Sequence, residues 1–277
     1  MQLGTFQTLK IVRHKHQGLY LSNAKGEEVL LPHKYMTPEM QVDHTLNVFV
    51  YLDNEERLVA TTLLPKITVN QFGYLKCTSV SKVGAFLDWG LDKELLVPYR
   101  EQVIPMREGN SYLVHMYEDP VTNRLVASSR TNRFLNKTRP DYEVNQEVDL
   151  MVSHQTDNGW ICIINEKHTG LLYTNEIFRE LYVGEQLAGY IKKVREDDKI
   201  DLSLQPLGHE ALEPNAEKLY TVLQTHNGYL PLTDKSSPEE IKDMVQLSKK
   251  SFKRAVGVLY KARKIRLEEG GIYKIHS

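Results

Sequence analysis

The sequence predicts a mainly β protein: three small five-stranded barrels in tandem, followed by a C-terminal α/β domain. Two observations predict it. A block of four features recurs three times in the same order before residue 208, alternating apolar and polar residues with the period of half-buried strands. Beyond residue 208 the apolar positions change to helical spacing and end in a short hairpin pattern.

The repeat comes first because a fixed internal period decides the architecture. Each block opens with a glycine and an apolar or aromatic strand: Gly18-Leu19-Tyr20-Leu21, Gly84-Ala85-Phe86-Leu87-Asp88 and Gly159-Trp160-Ile161-Cys162. A second apolar strand follows: Val29-Leu30-Leu31-Pro32, Leu95-Leu96-Val97-Pro98 and Leu171-Leu172-Tyr173-Thr174. A third alternating segment runs from Leu46 to Tyr51, from Tyr112 to Tyr117 and from Gln186 to Ile191. An acidic turn then leads into a closing strand: Asp53 to Arg57-Leu58-Val59-Ala60, Asp119 to Arg124-Leu125-Val126-Ala127, and Asp197 to Lys199-Ile200-Asp201-Leu202. The glycine precedes the closing-strand Leu or Ile by 40 residues in the first copy and 41 in the others. Four ordered features at that spacing imply one folding unit used three times. About five short strands per unit fit a partly open Greek-key barrel, whose closure removes the strand edges that template aggregation. The expected units are residues 1–66, 67–140 and 141–208.

In residues 209–277, Leu219, Val222 and Leu223 share one helical face, and Asn227-Gly228 stops that helix. Ser236-Ser237-Pro238-Glu239-Glu240 places a capping serine, a first-turn proline and acidic residues where a second helix begins. A third helix runs from Ser248 to Tyr260. Phe252, Ala255, Val256 and Leu259 form its apolar stripe, with Lys249, Lys250, Lys253 and Arg254 on its other faces. Ile265-Arg266-Leu267 and Ile272-Tyr273-Lys274-Ile275 flank Glu268-Glu269-Gly270-Gly271 as a β-hairpin. Three helices followed by a hairpin are a winged helix, whose third helix normally enters the major groove of DNA.

The segments VSKVGAFLDWGLDKELLVPYREQV in the second copy, and TGLLYTNEI with VGEQLAGYIKKVREDDKIDLSL in the third, resemble S1 RNA-binding domains of the OB-fold class. The first copy, with EEVLLPHKYM as its second strand, is the most divergent. The triple arrangement with its C-terminal domain resembles the CvfB (conserved virulence factor B) family over essentially the whole chain. The resemblance implies base stacking on strand aromatics. Phe86 falls at the motif phenylalanine, and Tyr173 replaces the family's histidine. Tyr20 occupies the equivalent strand of the weakest copy, and Trp160 lies one residue out of register, where Ile161 takes the stacking position. Arg124 and Lys199 follow the acidic turns, where the family often carries a phosphate-binding arginine. Each aromatic has a plainer role open to it, as barrel packing.

Charge adds a second line of argument. Residues 141–208 hold 6 basic and 13 acidic side chains, a net of -7, although Lys192, Lys193, Arg195 and Lys199 make a local basic spot there. Residues 245–277 hold nine basic side chains against Glu268 and Glu269, a net of +7. Lys249, Lys250, Lys253, Arg254, Lys261, Arg263 and Lys264 are therefore the expected phosphate contacts of the tail. No P-loop, dinucleotide fingerprint or nucleophile elbow is present, and no metal-ligand spacing joins the histidines, so neither cofactor nor metal nor enzymatic activity is expected. Cys77 and Cys162 read as free thiols, and no apolar run suits a signal peptide or membrane span, which points to the cytoplasm. The expected partner is single-stranded RNA, bound by a non-enzymatic post-transcriptional regulator of bacterial gene expression. Two alternatives stay open: a transcription regulator whose third helix reads DNA, and a ribosome-associated interaction scaffold.

Overall fold

The computed structural model describes residues 1–177, 179–206 and 214–275. Its first barrel is built from β1 (Thr5–Lys15), β2 (Gly18–Ser22), β3 (Glu28–Pro32), β4 (Thr45–Leu52) and β5 (Leu58–Thr61). The second uses β6 (Phe72–Val80), β7 (Gly84–Asp88), β8 (Leu95–Pro98), β9 (Ser111–Glu118) and β10 (Leu125–Ser128). The third uses β11 (Glu147–Thr156), β12 (Gly159–Ile164), β13 (His168–Tyr173), β14 (Gln186–Val194) and β15 (Ile200–Ser203). The strand order β1-β2-β3-β5-β4 closes on itself in the first barrel and recurs in the third, the topology expected of an OB-fold. Short parallel ladders make the closure, at Leu30 with Val59 and from Gly170–Ile200 to Leu172–Leu202. The second barrel keeps the order but lacks the β8–β10 ladder, so it stays an open sheet there.

The repeated glycine has a steric cause. At Gly18, Gly84 and Gly159, φ lies between 146° and 153°, and a Cβ would sit 2.0–2.2 Å from the carbonyl oxygen of Leu31, Val97 or Leu172 on the neighbouring strand. Any other residue would push β2 off β3. The first strand of each barrel was not among the four repeated features, and it is the longest strand of its barrel. Its alternation breaks at a bulge, between Ile11 and Arg13, Cys77 and Ser79, and Val152 and His154. The bulge bends the strand so that one half pairs with the second strand and the other half with the fourth.

The barrels share cores across their boundaries. Trp89 of the second barrel is buried with Phe49 and Tyr51 of the first, its ring edge-on to theirs at centroid distances of 5.7 and 6.1 Å. Lys34 pairs with Asp92 across the same boundary. Between the second and third barrels, Phe72, Met151 and Ile163 are buried together, and the Phe72 N–H donates to the Glu166 carboxylate at 2.6 Å.

The C-terminal domain contains α1 (Pro214–Thr225), β16 (Tyr229–Leu230), α2 (Pro238–Val245), α3 (Lys249–Lys261), β17 (Ile265–Glu268) and β18 (Gly271–Lys274). The expected boundary at 208–209 lies outside the described residues. Ser237 and Glu240 cap α2 reciprocally: Glu240 N–H donates to Ser237 Oγ at 3.2 Å and Ser237 N–H to the Glu240 carboxylate at 2.7 Å. Ser248 caps α3 by accepting from the Ser251 N–H at 3.1 Å. Phe252, Ala255 and Leu259 then bury against Leu219, Leu223, Ile241 and Ile272. Strand β16, two residues long and unsigned in the sequence, adds a third member to the hairpin sheet.

Candidate nucleic-acid interface

Phe86 and Arg124, far apart in sequence, line one cleft of about 480 Å³ between the first two barrels. The cleft lies at the open seam. Leu96 of β8 and Val126 of β10 stand where Leu30 and Val59 pair in the first barrel, and both line it. Phe86 on β7 is half-buried opposite Leu96. Tyr51 and Glu56 of the first barrel supply the far wall, and Lys93 the near one. Arg124 places Nε 3.0 Å from Glu56, and Lys93 Nζ donates to the Asp53 carbonyl at 2.8 Å. The cleft therefore combines an aromatic residue with two cations, Arg124 and Lys93, that the Glu56 carboxylate binds. Glu56, Asp92 and Glu94 make its wall more acidic than a bare phosphate site would be.

The other sequence-derived candidates are dispersed. Tyr20 is half-buried on β2 under two cations, with Arg13 4.5 Å and Lys15 5.4 Å from the ring centre. Trp160 is half-buried and packs on the core of the third barrel, opposite Leu172. Tyr173 stands across from Gly159, its hydroxyl accepting from Arg195. Arg195 is itself fixed by Asp201 at 2.6 and 3.0 Å, and that carboxylate holds its pKa above the usual range. Lys192 pairs with Glu176, and Lys199 pairs with Asp197 at 2.7 Å, while Lys193 is exposed.

The acidic turns correspond closely. Asp53, Asp119 and Arg195 each donate a backbone N–H to the carbonyl of the residue just before the closing strand: Arg57, Arg124 and Lys199. Their side chains are wired differently. Asp53 binds Arg57 within its own turn at 2.7 Å, Asp119 binds Arg100 at 3.1 Å, and Arg195 stands where the other two have an aspartate. Arg57 is the candidate that sequence reasoning missed. Its signal was the same acidic-turn position as Arg124, in the first copy.

On α3, Lys250, Lys253, Arg254 and Lys261 are exposed and Lys249 is half-exposed. Arg263 is exposed just beyond the helix at φ 54°, and Lys264 lies 5.5 Å from the Tyr220 ring centre. Among the described residues no group of three His, Cys, Asp or Glu side chains is placed to hold a metal, and no helix is long and apolar enough to cross a membrane.

A sequence model of the CvfB-like winged helix domain matches residues 217–273, and one of the S1 domain matches residues 3–63. The uncharacterized protein YitL of Bacillus subtilis is 30% identical over 99% of this chain and 94% of its own. The chain belongs to the CvfB family. Conserved virulence factor B of Staphylococcus saprophyticus is 29% identical, over 98% of this chain and 93% of its own. A crystal structure of a multidomain protein with nucleic acid binding domains from Streptococcus pneumoniae is 28% identical, covers 99% of this chain and 98% of that one, and superposes with a TM-score of 0.42. The S1 match falls on the first barrel, the copy that its strand motifs had suggested was the most divergent, and its bulge, glycine and closing ladder are intact.

Proposed function

We propose that this CvfB-family chain binds single-stranded RNA by base stacking and phosphate contact, and acts as a post-transcriptional regulator of bacterial gene expression rather than as an enzyme. The observation that carries the reading is the open seam of the second barrel. Half-buried Phe86 and the cation Arg124 both line that one cleft. On the first barrel Tyr20 carries Arg13 and Lys15 over its ring. Several such modules on one chain multiply affinity through effective concentration, without any one tight site. The cytoplasm is the compartment that suits two free, buried cysteines.

The non-enzymatic reading rests on the state of the candidate nucleophiles. Burial pushes the Cys162 thiol up to about 12 and raises Cys77 as well, so neither offers a thiolate. His115 is buried, its ring packed on Phe72 and Phe134.

One observation favours a second reading, DNA binding through the winged helix. Among the described residues Lys250, Lys253 and Lys261 on α3 have no carboxylate partner, whereas most barrel cations do. Crosslinking the protein to nucleic acid in cells and sequencing what is recovered separates the two. Recovery of RNA crosslinked within the second barrel is the expected result. Recovery of duplex DNA alone, crosslinked at α3, would replace the first reading with the second.

A further inference from the structure

Between Asp119 and Asp141 the chain has no acidic residue and five basic ones, Arg124, Arg130, Arg133, Lys137 and Arg139, in a protein whose net charge is -1. All five are exposed. The run leaves the second barrel through β10 and reaches the third just before β11, so it includes the linker between them. It begins on the turn that leads into the closing strand of the second barrel. It ends beside the equivalent turn of the third, where Arg139 Nε stands 3.5 Å from Asp198, the residue before Lys199.

The linker is pinned to both barrels, and part of its charge is left over. Arg133 pairs with the buried Glu101 carboxylate at 2.7 Å and lies over the Phe134 ring at 4.9 Å. The Asn136 N–H donates to the Lys167 carbonyl of the third barrel at 2.7 Å. Arg130 donates from Nε to the Arg100 carbonyl at 2.9 Å and from Nη2 to the Gln102 carbonyl at 3.3 Å. Carbonyls fix a guanidinium without neutralising it. Arg100 in turn reaches back along β10 to Asp119 at 3.1 Å, filling the gap between Arg124 and Arg130 with a further cation. Among the described residues Arg100, Arg124, Arg133 and Arg139 have carboxylate partners, whereas Arg130 and Lys137 have none. A row of cations with uncompensated members suits a ligand that carries one negative charge per repeat.

We propose that the sugar–phosphate backbone of a single-stranded RNA runs along this linker from the second barrel to the third, with phosphates on Arg130 and Lys137. These contacts are independent of base sequence. The strand is single because stacking on half-buried Phe86, in the cleft that Arg124 lines, takes an unpaired base. The linker also gives the third barrel what its own charge denies it. That barrel nets -7 over residues 141–208 and repels a polyanion at a distance, but a strand led in along the linker arrives at Lys199. The inference rests on the RNA-binding reading above and adds the path that the strand takes between barrels.

The test uses the full chain with Arg130→Gln and Lys137→Gln together. Both side chains are exposed and neither pairs with a carboxylate, so the fold should hold, and melting checks it. Lys25→Gln with Lys235→Gln removes the same charge from exposed sites away from the linker. Arg124→Ala reports on the cleft separately. Each protein is titrated over a range of salt with a labelled single-stranded RNA of about 20 nucleotides, long enough for two barrels, and with a labelled duplex DNA. The linker variant is expected to lose about tenfold in RNA affinity at physiological salt. Its slope of log affinity against log salt is expected to fall by about 1.4, the value for two phosphates of a single strand. The control pair is expected to bind as the native chain does. Native RNA affinity and slope in the linker variant, with Arg124→Ala weakened, would overturn the linker path and leave the RNA-binding reading in place. An equal loss in the control pair, or a loss confined to duplex DNA, would overturn the path as well. If the linker variant and Arg124→Ala both bind RNA as the native chain does, or the native chain does not bind it, the RNA-binding reading of the barrels falls too.

Discussion

Arg124 of the second barrel places its Nε 3.0 Å from the Glu56 carboxylate of the first, so the cation that lines the cleft is held from across a domain boundary. The pair is open to solvent on both sides and is expected to add no more than about 1 kcal/mol to stability. Its effect on binding should be larger. Arg124→Ala is expected to weaken single-stranded RNA binding to a similar extent across sequences and to reduce the slope of log affinity against log salt by about 1. Glu56→Gln, which releases Arg124 from its carboxylate, is expected to leave affinity equal or improved. Salt titrations of both variants check this, and an unchanged slope for Arg124→Ala would remove that residue from the interface.

Phe86 separates stacking from packing. It is half-buried opposite Leu96 and lines the cleft. Phe86→Ala is expected to cost about 1–3 kcal/mol of binding to single-stranded RNA. A stability loss approaching the several kcal/mol of a buried phenylalanine, with RNA affinity of the folded variant intact, would place the ring in the core instead. Thermal melts and RNA titrations on the same preparation distinguish the outcomes.

His115 gives the junction of the second and third barrels a dependence on pH. Its ring stacks on Phe134 at 4.0 Å and lies 4.6 Å from Phe72, and burial there pushes its pKa down from 6.5 to about 4. Asn70 raises it only in part. Between those two values the unfolded chain takes up a proton that the folded chain refuses. Stability present above pH 6.5 is therefore lost as pH falls toward 4, by up to about 3 kcal/mol. Melting at pH 7 and pH 5 is expected to show a smaller acid-induced drop for His115→Phe than for the native chain. Equal drops would exonerate His115.

The three barrels and the winged helix were legible in the sequence because their signals are local. Gly18, Gly84 and Gly159 are fixed by a neighbouring carbonyl, and Ser237 with Glu240 forms a cap within four residues. The first strands were harder to read. A bulge in each interrupts the alternation, and the outer half of β1 is exposed on both faces. The two-residue β16 carries no pattern of its own. For the candidate site, the residue types at Phe86 and Arg124 were visible, but not their meeting in one cleft. That depends on the missing β8–β10 ladder and on a wall from another barrel. The engagement of Tyr173 by Arg195, and of Lys192 by Glu176, depends equally on strand register. Arg57 could have been found by extending the acidic-turn rule to the first copy.

The most direct test compares the intact protein with a variant reversed to Glu at Lys249, Lys250, Lys253 and Arg254. These positions lie off the buried stripe of Phe252, Ala255 and Leu259, so the variant should keep its fold, as circular dichroism and melting would confirm. They hold four of the nine basic residues in a segment that nets +7, against -4 for residues 1–208. Long-range attraction of a polyanion should depend on them. Affinities for one single-stranded RNA and one duplex DNA are measured at the same physiological salt. The expected result is a fall of at least about tenfold for RNA, with a shallower dependence on salt. Undiminished RNA affinity in the folded variant would contradict this, returning RNA binding to the barrels alone, and loss of DNA binding alone would put DNA recognition by α3 in its place.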